Sequence, residues 1–250
     1  MNIDQHTDPM AYQPNMEIIT SDIMEQVLAA RSAYDAAVYT EASVKQALTK
    51  DHLTPDDFAA LLSPAAEAFL EQMAQRALQE TRKHFGNTVN LFTPLYLANY
   101  CENYCVYCGF NCHNNIKRAQ LNAVEIEREM QAIAAQGLEE ILLLTGESPA
   151  MSSVQYLAEA CKLARKYFRV VGLEVYPMDS SDYAYLHQCG ADFVTVFQET
   201  YNTEKYGQLH LGGRKRSFPY RFNAQERALQ GGMRGVGLAA LLGLDRKSVV

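Results

Sequence analysis

Short apolar runs and amphipathic stretches alternate along the chain from Val89 onward, and no other feature narrows its fold as far. Strands are predicted at Val89–Ala98, Glu140–Leu144, Val170–Val175, Phe193–Phe197 and Val236–Leu241. Helices fall between them, near Ala123–Gln136, Ser153–Tyr167, Asp182–Gln188 and Asn223–Gln230. Strands joined through a helix pair in parallel, since a parallel crossover needs a dozen or more residues and a helix fills them. The region reads as an α/β domain on a parallel sheet, either open or curled into a barrel.

The stretch before it is different. Between Met16 and about Phe85, apolar residues recur at three- and four-residue spacing, which predicts helices. Thr54-Pro55-Asp56-Asp57 offers a cap, a proline in the first turn and acids near the positive helix end. Ser63-Pro64 repeats that signal before a helix predicted over Ala65–His84, and Gly86-Asn87 ends it. We read 1–88 as a helical lead-in and 89–244 as the α/β domain, with the Tyr and Met residues of the lead-in in its core.

Composition removes several function classes. Apolar residues make up 48% of the 250 and charged residues 20%, the balance of an ordinary soluble globular chain. A net charge of −7 argues against a nucleic-acid binder, which needs a basic face to meet phosphate. Met1–Asp8 lacks the basic-then-apolar pattern of a signal peptide. The longest apolar run, Val236–Leu244, is broken by glycines and too short to span a bilayer. Neither nucleic acid nor membrane is expected as a partner, and the expected location is cytoplasmic. In a reducing compartment, clustered thiols point to a metal or redox site more than to disulfides.

Such a cluster follows the first predicted strand. Cys101, Cys105 and Cys108 stand in a C-x3-C-x2-C spacing that puts three thiolates on one tight loop. Iron–sulfur clusters are held by such thiolates, normally four of them. With three, one iron stays open, and an open metal position marks a catalytic site. A zinc ribbon is the competing reading. It would want a fourth ligand, for which Cys112 or His113 could serve, and a second C-x2-C, which is missing. Cys112, Cys161 and Cys189 are read as non-ligands. In parallel barrels the reactive groups gather at the C-terminal strand ends. Thr145-Gly146-Glu147, Glu174, Gln198-Glu199 and Gly237 fall at the ends of the later strands.

The C-x3-C-x-aromatic-C motif, with Tyr107 as the aromatic, resembles the radical S-adenosylmethionine (SAM) superfamily. The resemblance implies a TIM-type barrel and a [4Fe-4S] cluster on Cys101, Cys105 and Cys108, with SAM chelated to the open iron. One electron would then cleave the SAM C–S bond, and a 5′-deoxyadenosyl radical would abstract a substrate hydrogen. It also implies cofactor contacts. Tyr107 would lie against the adenine, and Thr145, Gly146 and Glu147 would form the Gly-Gly-Glu motif, its first glycine replaced, that receives the SAM amino group. Glu174 would meet the ribose, Gln198 and Glu199 would stand among the contacts, and Gly237 would let backbone approach the adenine.

Longer stretches narrow the resemblance. Phe85–Val89, Pro94–Leu97, Tyr107–Phe110, Ile116–Arg118, Leu144–Glu147, Gln198–Tyr201 and Gly237–Leu244 resemble the tyrosine lyases of thiamine thiazole synthesis, the 2-iminoacetate synthases. That resemblance covers about Leu53 to Leu244. It implies cleavage of L-tyrosine at Cα–Cβ to p-cresol and 2-iminoacetate, an electron donor such as flavodoxin or ferredoxin, and thiazole synthase as a partner. The tyrosine lyases of [FeFe]-hydrogenase maturation, which make CO and cyanide at a second cluster, share the cysteine loop and Gln198–Tyr201. Leu209–Arg216 and the Thr-Gly-Glu form favour the thiamine branch. A non-catalytic metal-binding module is a third reading, and it predicts no SAM binding. Arg214-Lys215-Arg216 is read as a solvated basic loop.

Only five strands are readable, whereas the resembled family has an eight-stranded barrel. The chain is therefore expected to hold a partial barrel whose C-terminal strands are missing, and to be aggregation-prone or inactive through its open sheet edge. Asp245–Val250 match the in-frame translation of a common sequencing adapter, so 245–250 is expected to be foreign to the protein.

Overall fold

The computed structural model of the chain describes residues 7–244, so the 245–250 segment read above as foreign lies outside the described residues. Among the described residues the chain divides into two compact units, one of helices over Glu25–Asn90 and one formed by 7–24 together with 91–244. The residues up to Met24 thus group with the α/β unit and not with the helical lead-in. Pro9, Ala11 and Glu17 hydrogen-bond to Phe218, Ser217 and Ser180, which explains the grouping.

The helical region runs through α1 (Ile23–Ala33), α2 (Glu41–Thr49), α3 (Pro55–Leu62) and α4 (Leu70–Phe85). Val44, Ala66 and Phe69 form its small core. The predicted cap is present: Thr54 Oγ1 accepts from Asp57 N at 3.2 Å and the Asp57 carboxylate accepts from Thr54 N at 2.9 Å. The second helix start differs from expectation. Ser63 makes no side-chain cap, a 3₁₀ turn occupies Pro64–Phe69, and α4 begins only at Leu70. The Ser63 hydroxyl donates instead to Ala60 O at 2.7 Å, closing the end of α3.

Replacing Thr54 by Ala is expected to cost about 1 kcal/mol, read from the urea midpoint of unfolding. Asp57 adds an acid dependence. The hydrogen bond from Lys50, then those from Thr54, lower its carboxyl from 3.8 to about 2. A folded-state pKa below the unfolded one gives stability that is full above pH 3.8 and lost as pH falls toward 2. Asp57→Asn is expected to flatten that acid limb, as a pH series of thermal melts would show.

The second unit follows the predicted alternation. Its elements are β1 (Phe92–Ala98), β2 (Tyr104–Cys105), α5 (Ala123–Ala134), β3 (Glu140–Thr145), α6 (Val154–Ala164), β4 (Val170–Glu174), α7 (Ser180–Gln188) and β5 (Phe193–Thr195). Then come α8 (Thr203–Leu209), β6 (His210–Gly212), α9 (Phe218–Phe222), α10 (Ala224–Gln230) and β7 (Gly235–Gly237). Five strands form one parallel sheet in the order β1-β3-β4-β5-β7. The order follows the chain without reversal, so right-handed crossovers place the connecting helices α5, α6, α7 and α10 on one face, as in a barrel wall. Among the described residues the sheet does not close, and the architecture is a partial (βα) barrel.

Parallel strands covered on both faces read as unbroken apolar runs. Ile141, Leu142, Leu143 and Leu144 of β3 are accordingly all buried. Leu97, Leu143, Val171, Leu173 and Val194 meet Ile126, Met130, Leu157, Cys161 and Leu186 of the helices in one core. Four strands are shorter than predicted, β4 by the single residue Val175. β1 starts at Phe92, β5 stops at Thr195, and β7 stops at Gly237, beyond which only Ala240 bridges to Glu199. The sequence reading also missed α8, α9 and the antiparallel ribbon of β2 and β6. Two paired residues carry no periodicity, so a ribbon this short leaves no pattern to read. Among the described residues no helix is long and apolar enough to cross a membrane.

Candidate active site at the strand ends

The loop after β1 is held by side chains that bind its backbone. Arg118 donates to Asn99 O at 2.6 Å, to Phe110 O at 3.0 Å and to Asn111 O at 2.8 Å. Asn111 Nδ2 donates to Cys105 O at 2.8 Å, and Asn114 Nδ2 to Cys108 O at 3.2 Å. The loop is thus shaped without its thiols, which are free of disulfides. Cys101, Cys105 and Cys108 all line one cavity of about 360 Å³. Cys112 does not line it, and Cys161 and Cys189 are buried in the core among α6 and α7.

Burial pushes the Cys105 thiol up to about 12, and burial together with Glu147 raises Cys101. Both therefore stay protonated until a cation sits among them, and a coordinating thiol is deprotonated outright. Among the described residues no three His, Cys, Asp or Glu side chains converge as a single metal ion requires. A cubane takes one thiolate per iron, so its ligands need not converge on a point.

The other walls come from the C-terminal strand ends. Tyr96, Leu144, Glu174, Thr195 and Gly237 lie in register across the sheet, and the first four line the cavity. Beyond β3 the chain turns through Gly146, whose N–H donates to Ala98 O at 3.0 Å. A Cβ there would lie 2.2 Å from Tyr100 O, so only glycine lets this turn touch the cysteine loop. The neighbouring Thr145 hydroxyl is buried without a partner.

Glu147 is the electrostatic centre of this wall. It accepts from Arg221 Nη1 at 2.6 Å and from Asn103 Nδ2 at 2.7 Å. Burial alone would raise its carboxyl, but Arg221, Lys215 and Asn103 outweigh burial and hold it below the usual carboxylate range. Lys215 Nζ donates to Glu199 Oε1 at 2.8 Å on the opposite side. Glu174 forms no ion pair among the described residues, and burial and then Glu199 raise its carboxyl against the weaker pull of Arg221, Lys215 and Thr195.

The cavity brings together eight of the residues singled out in the sequence: Cys101, Cys105, Cys108, Thr145, Gly146, Glu147, Glu174 and Glu199. Three others lie outside its lining. The Tyr107 hydroxyl turns to His210 Nε2, 2.7 Å away. Gln198 is buried with its Nε2 at 3.4 Å from Phe218 O, and its Oε1 has no partner. Gly237 sits in β7 against Thr195 and faces a separate hollow.

The basic run is not a solvated loop. Lys215 is buried, Arg216 donates to the carbonyls of Thr7, Gly207 and His210, and Arg214 lies over the Tyr220 ring. Carboxylates and carbonyls inside the fold supply the partners that the sequence reading assigned to water. Sequence reasoning also missed Asn103, which stands at an unspecified position inside the C-x3-C spacing, and Arg221, which had no motif or run to mark it.

Residues 95–249 match the Radical SAM superfamily. The chain belongs to that superfamily. Membership implies a [4Fe-4S] cluster and SAM as cofactors, and the residues fit both. Three free thiols line one cavity together with Thr145, whose buried hydroxyl has no partner, beside a charged carboxylate able to receive an ammonium group.

The chain is 45% identical over 206 residues to the 2-iminoacetate synthases of Escherichia coli (strain K12) and Salmonella typhimurium, a match covering 82% of this chain and 55% of theirs. It is 33% identical over 187 residues to the 3-methylornithine synthase of Methanosarcina acetivorans, covering 72% of this chain and 51% of that one. Among solved structures, HydG, a maturase of the [FeFe]-hydrogenase, is 28% identical with a TM-score of 0.77, covering 92% of this chain and 52% of that one. The radical SAM chain described here spans about half the length of the curated relatives it matches.

Proposed function

We propose that the protein is a radical SAM lyase that cleaves L-tyrosine between Cα and Cβ, giving p-cresol and 2-iminoacetate. The observation that carries this reading is the 45% identity to 2-iminoacetate synthases across a match of 206 residues. The cavity that gathers the three thiols and Glu147 supports it.

Cys101, Cys105 and Cys108 would hold the cluster, and Glu147 would receive the SAM ammonium. Arg221 and Asn103 fix the Glu147 carboxylate before any ligand arrives, so no reorganisation is needed on binding. Held by these three cysteines, the cluster would supply one-electron chemistry for SAM cleavage and hence for hydrogen abstraction from the substrate. Tyr96, Phe110, Leu144, Val175 and Phe197 give the same cavity an apolar wall beside the charged groups. A reductant such as flavodoxin or ferredoxin would supply the electron, and thiazole synthase would take up the 2-iminoacetate.

The test uses protein reconstituted with iron and sulfide without oxygen, then given SAM, dithionite and tyrosine. The expected products are 5′-deoxyadenosine, p-cresol and glyoxylate, the hydrolysis product of 2-iminoacetate. The HydG likeness, at a TM-score of 0.77, favours a second reading with the same first bond cleavage followed by CO and cyanide formation. Detection of cyanide or CO would replace the first reading with the second. Deoxyadenosine without p-cresol would reject tyrosine as the substrate.

A further inference from the structure

We infer that His210 is a positioning residue for the cysteine loop, acting through the Tyr107 hydroxyl to set the stretch of chain between Cys105 and Cys108. His210 is fully buried on β6, and its Nδ1 donates to Tyr206 O at 2.9 Å. That bond fixes the tautomer and leaves Nε2 as the acceptor for the Tyr107 hydroxyl at 2.7 Å. The imidazole is itself clamped, with the Tyr206 ring 3.9 Å away, centroid to centroid.

The backbone makes the same connection. Cys105 pairs with His210 in the β2–β6 ribbon, and Val106 N donates to Leu209 O at 3.0 Å. Gly213 extends it, with φ of 85° and its Cα lying so close to Asn103 that a Cβ would stand 2.4 Å from Asn103 Oδ1. Asn103 Oδ1 accepts from Lys215 N at 2.8 Å, which ties the segment carrying Lys215 to the cysteine loop. The segment from Leu209 to Lys215 thus forms a brace, and His210 is the side chain in it that hydrogen-bonds to Tyr107, while Lys215 Nζ lies 5.9 Å from the centre of the same ring.

Groups beyond the ligands commonly tune metal affinity by roughly ten- to a hundredfold. The inference rests on the cluster assignment proposed above, and its test separates the two. Tyr107→Phe, His210→Ala, His210→Gln and the Tyr107→Phe/His210→Ala pair are reconstituted without oxygen. The rate of iron release to a chelator and the electron paramagnetic resonance of the reduced protein are then measured. Tyr107→Phe and His210→Ala are expected each to speed iron release by roughly tenfold and to broaden the spectrum in the same way.

The pair of changes together is expected to release iron no faster than either alone, because both remove one interaction. His210→Gln, whose amide oxygen reaches toward the place of Nε2, is expected to restore most of the original rate. Unchanged iron release in Tyr107→Phe, which removes a single oxygen, overturns the inference whatever the His210 variants do. Effects that multiply in the pair overturn it as well. An unsubstituted protein that takes up no iron would instead end the cluster assignment itself.

Discussion

Cys101→Ala, Cys105→Ala and Cys108→Ala are each expected to abolish SAM cleavage, with reconstituted iron falling well below the roughly four atoms per chain of a complete cluster. Cys112→Ala, Cys161→Ala and Cys189→Ala are expected to keep both iron and activity. The contrast follows from position. The first three thiols face one cavity, whereas Cys112 lies outside its lining and the last two are packed in the core. Core substitution at Cys161 or Cys189 carries its own cost in stability, so the comparison is made per folded protein by iron analysis and circular dichroism. Loss of iron in Cys112→Ala with retention in Cys101→Ala would reverse the assignment and revive a zinc site that uses Cys112.

The second large effect is expected at the Glu147–Arg221 pair. Both side chains are deeply buried, at 14% and 5% exposure, and Arg221 Nε also donates to Phe197 O at 2.6 Å. Removing one partner of a buried ion pair leaves the other charge uncompensated, which costs roughly 3–5 kcal/mol. Arg221→Met should therefore lower stability by about that amount in urea unfolding near neutral pH. The Arg221→Met/Glu147→Gln pair removes both charges and is expected to recover most of the loss.

The pH dependence has a defined sign. In the natural protein the Glu147 carboxyl is held low, so its contribution is present above the unfolded carboxylate pKa and lost as pH falls through the folded value. In Arg221→Met much of the opposing charge is gone and burial favours the neutral acid. The deficit of the variant is therefore expected to shrink as pH is lowered and Glu147 takes up its proton. A deficit that stays constant from neutral to acid pH would mean that lost packing, not the stranded carboxylate, sets the cost.

These two sites also mark what a single sequence discloses. The cysteine loop was legible because thiols at that spacing have few uses, and the sheet because buried parallel strands leave apolar runs such as Ile141–Leu144. Helix starts were legible where a side chain closes on its own backbone, as at Thr54, and misread at Ser63, whose hydroxyl bonds backward to Ala60. The partners of the site residues were not legible. Arg221 meets Glu147 across 74 positions, His210 meets Tyr107 across 103, and Lys215 meets Asn103 across 112. Nothing local at either end of such a contact marks it, and the strand order alone brings the partners together. For the same reason a run of three basic residues looked like a solvated loop until the fold set carboxylates and carbonyls against it.

An open-iron cluster held by Cys101, Cys105 and Cys108 is what every role assigned to the cavity requires. The measurement that decides this is electron paramagnetic resonance of the reconstituted, dithionite-reduced protein, recorded with and without SAM. A reduced four-iron signal that changes shape when SAM is added is expected, because the cofactor would bind the iron that no cysteine holds. A four-iron signal indifferent to SAM, or a protein that retains zinc and shows no cluster signal, would contradict it.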